Sequence, residues 1–108
     1  MAVTVWHNPR CSKSRAALTY LEKHGIAPEV RLYLKDAPDA EAIRDMLIAL
    51  NLPAAGLLRN DGAALKSDSE DKIIAAMVAE PSLIERPVIR VGDKAVIGRP
   101  TDAIATLL

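Results

Sequence analysis

The sequence predicts an α/β domain with a four-stranded mixed sheet and helices on both faces. Four short apolar or alternating runs predict the strands, at residues 3–6, 29–34, 88–91 and 94–97. An amphipathic run lies between the first two strands, so they form a right-handed βαβ unit and run parallel. Only Gly92-Asp93 separates the last two runs, and this spacing is typical of an antiparallel hairpin.

The first strand and the first helix meet at a tight turn. Residues 3–6 are β-branched or aromatic and carry no charge, as in a buried strand. Asn8-Pro9 indicates a turn, and Ser12 or Cys11 can cap the helix that follows. His24-Gly25 ends this helix, because glycine readily adopts the left-handed conformation found after helix ends.

The second strand is predicted from alternation between residues 29 and 34. Successive side chains of a strand point to opposite faces. We therefore expect Val30, Leu32 and Leu34 to share a covered face of the sheet, with Arg31 and Tyr33 on the other face.

A helical insertion, from about residue 36 to residue 81, is predicted between the βαβ unit and the hairpin. Its first helix opens at residues 36–39. The apolar spacing gives this helix a buried face, which consists of Ile43, Met46, Leu47 and Leu50. A short helical turn at 53–58 and a loop at 60–62 follow. Ser67, Asp68 or Ser69 caps a last helix that ends before Pro81. The residues expected to face inward from it are Ile73, Ile74, Met77 and Val78.

A final helix follows residues 98–101 and completes the chain. Its apolar residues are Ile104, Leu107 and Leu108. The order of β-α-β, helical insertion and β-β-α is the organisation of a thioredoxin-like fold. We expect residues 1–108 to form one such domain, because this length suits one hydrophobic core and not two.

The composition argues against several classes of partner. Basic and acidic residues are balanced, 14 of each, so no global charge favours nucleic acid or an anionic membrane surface. No apolar run approaches the ~20 residues that cross a bilayer. A single cysteine cannot form an internal disulfide, and Met1 leads directly into a strand without a secretory signal. We therefore expect a reducing, cytoplasmic location.

Cys11, the only cysteine, marks the candidate site. It follows Pro9 at the predicted start of the first helix, with the cations Arg10, Lys13 and Arg15 around it. Backbone N–H groups at a helix start and nearby positive charges both stabilise a thiolate. We therefore expect Cys11 to be a nucleophile and not a packing residue.

Three arginines lie at element boundaries. Arg59 ends the short helical turn, Arg86 precedes Pro87 and the first hairpin strand, and Arg99 follows the second hairpin strand. In a thioredoxin-like sheet, the loop before the first hairpin strand faces the start of the first helix, so Arg86 is expected beside Cys11. A guanidinium offers five donors in a planar fork, which suits a tetrahedral oxyanion. Three other arginines are expected to be solvated or in surface ion pairs: Arg31, Arg44 and Arg90.

His7 and Ser14 flank the thiol in sequence. His7 can tune the thiolate or donate to a substrate oxygen, and it can equally fix the turn by a hydrogen bond. Ser14 stands three residues after Cys11, where a dithiol oxidoreductase has its second cysteine, and its hydroxyl can hydrogen-bond the thiolate. The two histidines and one cysteine do not have the spacing of a zinc site, and no phosphate-binding glycine loop is present, so no metal or bound cofactor is expected.

These motifs together resemble the glutaredoxin-coupled arsenate reductase family. The resemblance rests on residues 7–15 (HNPRCSKSR), on Glu85-Arg86-Pro87 and on residues 97–100 (IGRP), and it extends over nearly the whole chain. It implies that Cys11 is the nucleophile, assisted by His7 and Ser14. It also implies that the oxyanion is bound by Arg59, Arg86 and Arg99, and that Pro87 is the cis-proline of the fold.

The resemblance further implies a reaction and its partners. The thiolate attacks arsenate to form a thiol–arsenate ester, glutathione adds to this adduct, and glutaredoxin reduces it and frees arsenite. Glutathione is then a co-substrate and not a bound cofactor. The single cysteine of this chain agrees with such a reaction, because the other thiols come from outside.

Three other functions remain open from the sequence, one of which is a catalytically idle member of the fold that acts as a binding module and would have a thiol of ordinary pKa. A redox-responsive transcription regulator of the Spx type shares the fold and binds RNA polymerase, but it typically carries a Cys-x-x-Cys switch that Ser14 removes here. A glutathione-dependent thiol–disulfide oxidoreductase would use Cys11 without needing three arginines.

Overall fold

The computed structural model describes residues 2–108 and contains the predicted four-stranded mixed sheet. Its strands are β1 (Val3–Trp6), β2 (Glu29–Arg31), β3 (Val88–Val91) and β4 (Lys94–Ile97). They are arranged in the order β2-β1-β3-β4. β1 pairs with β2 in parallel, and the β1–β3 and β3–β4 pairs are antiparallel. Both the βαβ unit and the hairpin are therefore confirmed, and three of the four strands have their predicted limits.

Three α-helices surround the sheet: α1 (Ser12–Lys23), α2 (Ala40–Leu50) and α3 (Glu70–Ala79). The Asp39 carboxylate accepts from Ala42 N–H at 2.8 Å, and the Ser69 hydroxyl accepts from Lys72 N–H at 3.4 Å, so side chains cap α2 and α3. Four 3₁₀ helices complete the fold: Ala54–Leu57, Asn60–Leu65, Pro81–Leu83 and Thr101–Leu107. Within residues 2–108, no helix has the length and apolar character needed to cross a membrane.

The sheet separates two apolar clusters. Val3 and Val5 of β1 point to one face, where they pack with α1 and with Ile104 of the C-terminal 3₁₀ helix. Trp6 points to the other face, where it packs with α2, α3 and the segment between them. Because alternate residues of one strand serve both clusters, helices cover both faces, as predicted.

The interpretation of residues 29–34 as one strand with a covered face of Val30, Leu32 and Leu34 was wrong. β2 ends at Arg31, and these three side chains are 42%, 37% and 46% exposed, whereas Tyr33 is 1% exposed. β2 is an edge strand that pairs only with β1, and the chain turns after it, with Asp36 N–H donating to the Leu32 carbonyl at 2.8 Å. The turn directs Tyr33 into the core and leaves the aliphatic residues outside.

Smaller differences concern the insertion and the C-terminus. Residues 60–62, predicted as a loop, begin a 3₁₀ helix. Val78 is 37% exposed and Leu108 is 44% exposed, so neither is a core residue. Leu50 is only partly buried, whereas the rest of the predicted α2 face is buried. These residues lie at the edges of apolar stripes, where periodicity alone does not decide which side chains the neighbouring elements cover.

Backbone pairing fixes the insertion against the start of the hairpin. Leu58 and Ile84 form an isolated antiparallel bridge. Glu85 N–H donates to the Leu57 carbonyl at 2.7 Å, and Arg59 N–H donates to the Leu83 carbonyl at 2.9 Å. Residues 57–59 therefore lie alongside residues 83–85, although they are far apart in sequence.

We expect Gly98→Ala to destabilise the fold by about 1–3 kcal/mol, because the site has no room for a methyl group. A Cβ atom at Gly98 would lie 2.8 Å from Ile89 Cδ1 and 2.9 Å from Pro87 Cγ, in a buried position below Arg99. Urea unfolding measures the change. Gly56→Ala is the matched control, since its nearest neighbours are Leu52 side-chain atoms at 3.3–3.5 Å on a partly exposed residue. Equal stabilities of the two variants would contradict this packing.

Candidate active site

The thiol of Cys11 lies at the start of α1. Cys11 is the N-cap residue, with φ −94° and ψ 122°, and its side chain is buried. The Asn8 carbonyl accepts from Cys11 N–H at 3.0 Å, and the Cys11 carbonyl accepts from Arg15 N–H at 3.0 Å. The Asn8-Pro9 turn therefore positions the sulfur beside the free N–H groups of the first helical turn, as the sequence predicted.

The pKa of the Cys11 thiol is lowered from its ordinary value. Burial raises this pKa, but hydrogen bonds from the backbone N–H groups of Ser14 and Lys13, and the positive charge of Arg86, outweigh burial. The thiolate fraction at neutral pH is therefore larger than for an ordinary cysteine, and the thiolate is the nucleophilic form.

The cations that act on the sulfur come from the hairpin ends and not from the cysteine loop. The side chains of Arg10, Lys13 and Arg15 are exposed, and the Arg15 guanidinium donates to the Pro9 carbonyl at 2.8 Å. Arg99 Nη2, in contrast, lies 3.4 Å from Cys11 Sγ as a hydrogen-bond donor. The expectation that local cations stabilise the thiolate is thus corrected, because these side chains are exposed and the charge that lowers the thiol pKa is that of Arg86.

Arg86 and Arg99 are held together beside the sulfur. Arg99 Nε donates to the Arg86 carbonyl at 2.8 Å. The Arg86 side chain is only 16% exposed, and within residues 2–108 its buried Nε has no hydrogen-bond partner. A buried donor without a partner is costly unless water or a bound anion satisfies it. The peptide bonds to Pro87 and Pro100 are both cis, of which only the first was implied beforehand.

Arg59 lies close to Arg86 and Arg99. Its Nη1 donates to the Ser82 carbonyl at 3.4 Å. A small cleft of 150 Å³ is lined by Arg59, Asn60, Asp61, Glu85, Arg86 and Arg99. The structure therefore brings together all three arginines that the sequence singled out, with the thiol contacted by Arg99. The other three arginines form ion pairs with Asp36, Asp71 and Asp45, as expected.

His7 and Ser14 lie behind the thiol and hold the turn. His7 Nδ1 and Ser14 Oγ are 2.7 Å apart, and Ser14 Oγ also accepts from Asn8 N–H at 3.0 Å. Burial, and then the positive charge of Arg15, lower the pKa of His7, so its imidazole is neutral at neutral pH. The Ser14 hydroxyl is thus engaged with His7 and Asn8, whereas the Ser14 peptide N–H faces the sulfur.

Comparison with known proteins gives the family. The model of the ArsC family matches residues 6–107. The chain belongs to the ArsC family. It is 39% identical to a protein named arsenate reductase from Neisseria meningitidis, over 98% of this chain and 97% of that one. It is 40% identical to the uncharacterized protein YfgD of Escherichia coli, over 98% and 96% of the two chains.

Solved structures of ArsC-family proteins agree with this fold. A structure described as arsenate reductase from Vibrio cholerae superposes with a TM-score of 0.93 at 36% identity, over 100% of this chain and 98% of that one. The mixed sheet with its helical insertion is therefore the thioredoxin-like fold of this family. Within residues 2–108, no group of three or more His, Cys, Asp or Glu side chains is placed to hold a metal ion.

Sequence patterns did not identify two residues that the structure places in or beside this candidate site. Tyr33 is buried next to the site. Its pKa is raised by burial, although the positive charges of Arg86 and Arg59 act in the opposite direction. Glu85 lies in the cleft with the arginines. Tyr33 gave a weak signal, as one of three aromatic residues in an aliphatic chain. Glu85 is adjacent to Arg86 in the sequence, but its negative charge gave no sign that it lines a cleft with three arginines.

We expect Arg86→Gln to slow alkylation of Cys11 several-fold at neutral pH. Loss of the positive charge that lowers the pKa of the thiol leaves less thiolate. The rate of iodoacetamide modification, followed against pH, measures this change, and the midpoint should move to higher pH. Arg10→Gln is the matched control, because Arg10 is adjacent in sequence but exposed. An equal effect of both variants would show that the local cations set the pKa after all.

Proposed function

We propose that this chain reduces arsenate to arsenite, with Cys11 as the nucleophile and Arg59, Arg86 and Arg99 as the oxyanion-binding residues. The observation that carries the proposal is the contact between the Cys11 sulfur and Arg99 Nη2, at 3.4 Å, together with the small cleft that Arg99 lines with Arg59 and Arg86. The names of the relatives from Neisseria meningitidis and Vibrio cholerae support the same activity.

The first step is attack of the Cys11 thiolate on arsenic. A sulfur–arsenic bond forms, an arsenic–oxygen bond breaks, and the oxygen leaves as water after taking up protons. Negative charge on the oxygens is present throughout, and guanidinium donors already fixed in place stabilise it without further reorganisation. The hydrogen bond from Arg99 to the Arg86 carbonyl provides such fixation.

The later steps need thiols from other molecules, because the chain has one cysteine. The glutathione thiol displaces a second oxygen from arsenic as water. The glutaredoxin thiolate then attacks the glutathione sulfur, the arsenic–sulfur bond to glutathione breaks, and its electron pair reduces arsenic(V) to arsenic(III). Water releases arsenite from Cys11, and glutaredoxin keeps glutathione as a mixed disulfide. Glutathione and glutaredoxin place the reaction in the cytoplasm.

His7 and Ser14 act in this proposal by positioning the nucleophile. Their hydrogen bond at 2.7 Å, with that from Asn8 N–H to the Ser14 hydroxyl, fixes the turn on which Cys11 lies. A neutral, buried imidazole does not supply the positive charge for the thiolate, so that charge comes from the arginines.

We expect Cys11→Ser to abolish arsenate turnover. A serine hydroxyl is not ionised at neutral pH and cannot form the sulfur–arsenic bond. The test is a coupled assay with arsenate, glutathione and glutaredoxin, in which arsenite and oxidised glutathione are both measured. Normal turnover by Cys11→Ser would rule out Cys11 as the nucleophile. Deglutathionylation that survives loss of Arg86 and Arg99, without arsenate turnover, would assign the thiol to disulfide exchange.

We expect Arg86→Ala to weaken arsenate binding about 10- to 100-fold, because charge-assisted hydrogen bonds are lost. Calorimetry in a Cys11→Ser background measures binding without covalent reaction. Arg44→Ala is the control, since Arg44 pairs with Asp71 on the surface, and its affinity should match the parent. Unchanged affinity in Arg86→Ala would remove Arg86 from the oxyanion site.

A further inference from the structure

A carboxylate lies among the arginines of the cleft. Glu85 Oε1 is 3.4 Å from Arg86 Nη1 and 3.6 Å from Arg99 Nε, and the Glu85 side chain is only 23% exposed. It lines the 150 Å³ cleft with Arg59, Arg86 and Arg99. The carboxylate can orient Arg86 and Arg99, but its negative charge also repels a bound anion unless that anion presents a proton to it.

Glu85 is held in the cleft by its surroundings. Its N–H donates to the Leu57 carbonyl at 2.7 Å, and its Oε1 accepts from Arg86 N–H at 3.2 Å and from Arg86 Nη1 at 3.4 Å. The side-chain hydrogen bonds of Glu85 within residues 2–108 are all made by Oε1. The carboxylate is therefore fixed in the cleft through Oε1, and its other oxygen, Oε2, can accept a hydrogen bond from a ligand.

A carboxylate accepts hydrogen bonds and donates none. Against a bare oxyanion oxygen it is repulsive, because two acceptors of like charge meet without a proton between them. Against a protonated oxyanion it accepts a hydrogen bond from the As–OH or P–OH group. The arginines attract any tetrahedral anion, so a carboxylate in the cleft has to distinguish the two kinds, and Glu85 is the more buried of its two carboxylates.

We propose that Glu85 makes this site select tetrahedral oxyanions that carry a proton, such as hydrogen arsenate and hydrogen phosphate, over sulfate, which has no proton at neutral pH. The proposal rests on the proposed function, since it assigns the same cleft to the oxyanion. It adds a specificity-determining residue whose contact is with the hydroxyl of the substrate.

The test compares hydrogen phosphate with sulfate by calorimetry, at neutral pH and constant ionic strength. We expect the protein with its native sequence to prefer hydrogen phosphate by about 10-fold or more, as for a site whose polar group loses its partner with the wrong ligand. Glu85→Gln should bring the two affinities close together, mainly by tighter sulfate binding, because the amide donates a hydrogen bond.

Asp61→Asn is the matched control. Asp61 lines the same cleft, but it is 65% exposed and 3.9 Å from Arg59, so its removal changes the local charge without removing an oriented acceptor. It should alter both affinities by the same factor and leave their ratio unchanged. An unchanged ratio in Glu85→Gln, or an equal loss of preference in Asp61→Asn, would overturn the proposal.

If Glu85→Gln does not fold, the affinities of the native protein for hydrogen phosphate and sulfate still test the role of Glu85. Equal or tighter binding of sulfate than of hydrogen phosphate would overturn the assignment of Glu85. Failure of the proposed function is seen separately, in the coupled arsenate assay. Selectivity for phosphate over sulfate without arsenate turnover would support the assignment of Glu85 and reject arsenate reduction. Arsenate turnover without this selectivity would support arsenate reduction and reject the assignment of Glu85.

Discussion

The pairing of β1 with β3 is the constraint on which the site depends. Trp6 lies opposite Val88 in this antiparallel pair, so the chain leaving β1 passes beside the chain entering β3. The first of these segments carries the cysteine loop and the second carries Arg86. β4 pairs with β3 and adds Arg99, whose Nη2 contacts the Cys11 sulfur at 3.4 Å. A thiolate is thus stabilised by charges that no local sequence supplies.

The candidate site has a concentration of positive charge that the chain as a whole does not have. The chain as a whole is balanced, with 14 basic and 14 acidic residues. The cleft concentrates three guanidiniums against two carboxylates, Asp61 and Glu85. Of these carboxylates, only Glu85 is mostly buried. The composition therefore gives no information about the charge of the cleft, because a few residues at element ends determine that charge.

Sequence patterns predicted the central elements well because local rules govern them. Apolar runs and the two-residue turn gave the limits of β1, β3 and β4, the proline-containing segment 36–39 located the start of α2, and a capping residue located α3. The patterns failed at β2, where alternation shows that side chains point to opposite faces but not where the chain leaves the sheet. Tyr33 became a core residue for that reason. The contacts of Glu85 were equally out of reach, since they depend on arginine orientation.

Arg59 shows what the helical insertion contributes to chemistry. Its place depends on the Leu58–Ile84 bridge and on the hydrogen bonds that tie residues 57–59 to residues 83–85. A thiol at a helix start beside the cis-proline segment is sufficient for disulfide exchange, which needs no anion site. The insertion adds a third guanidinium to a cleft of 150 Å³ that Arg86 and Arg99 also line, and Arg99 in turn contacts the Cys11 sulfur. Because this pairing links distant parts of the chain, the insertion determines that Arg59 lies with Arg86 and Arg99, and three guanidiniums suit a tetrahedral anion, which disulfide exchange does not need.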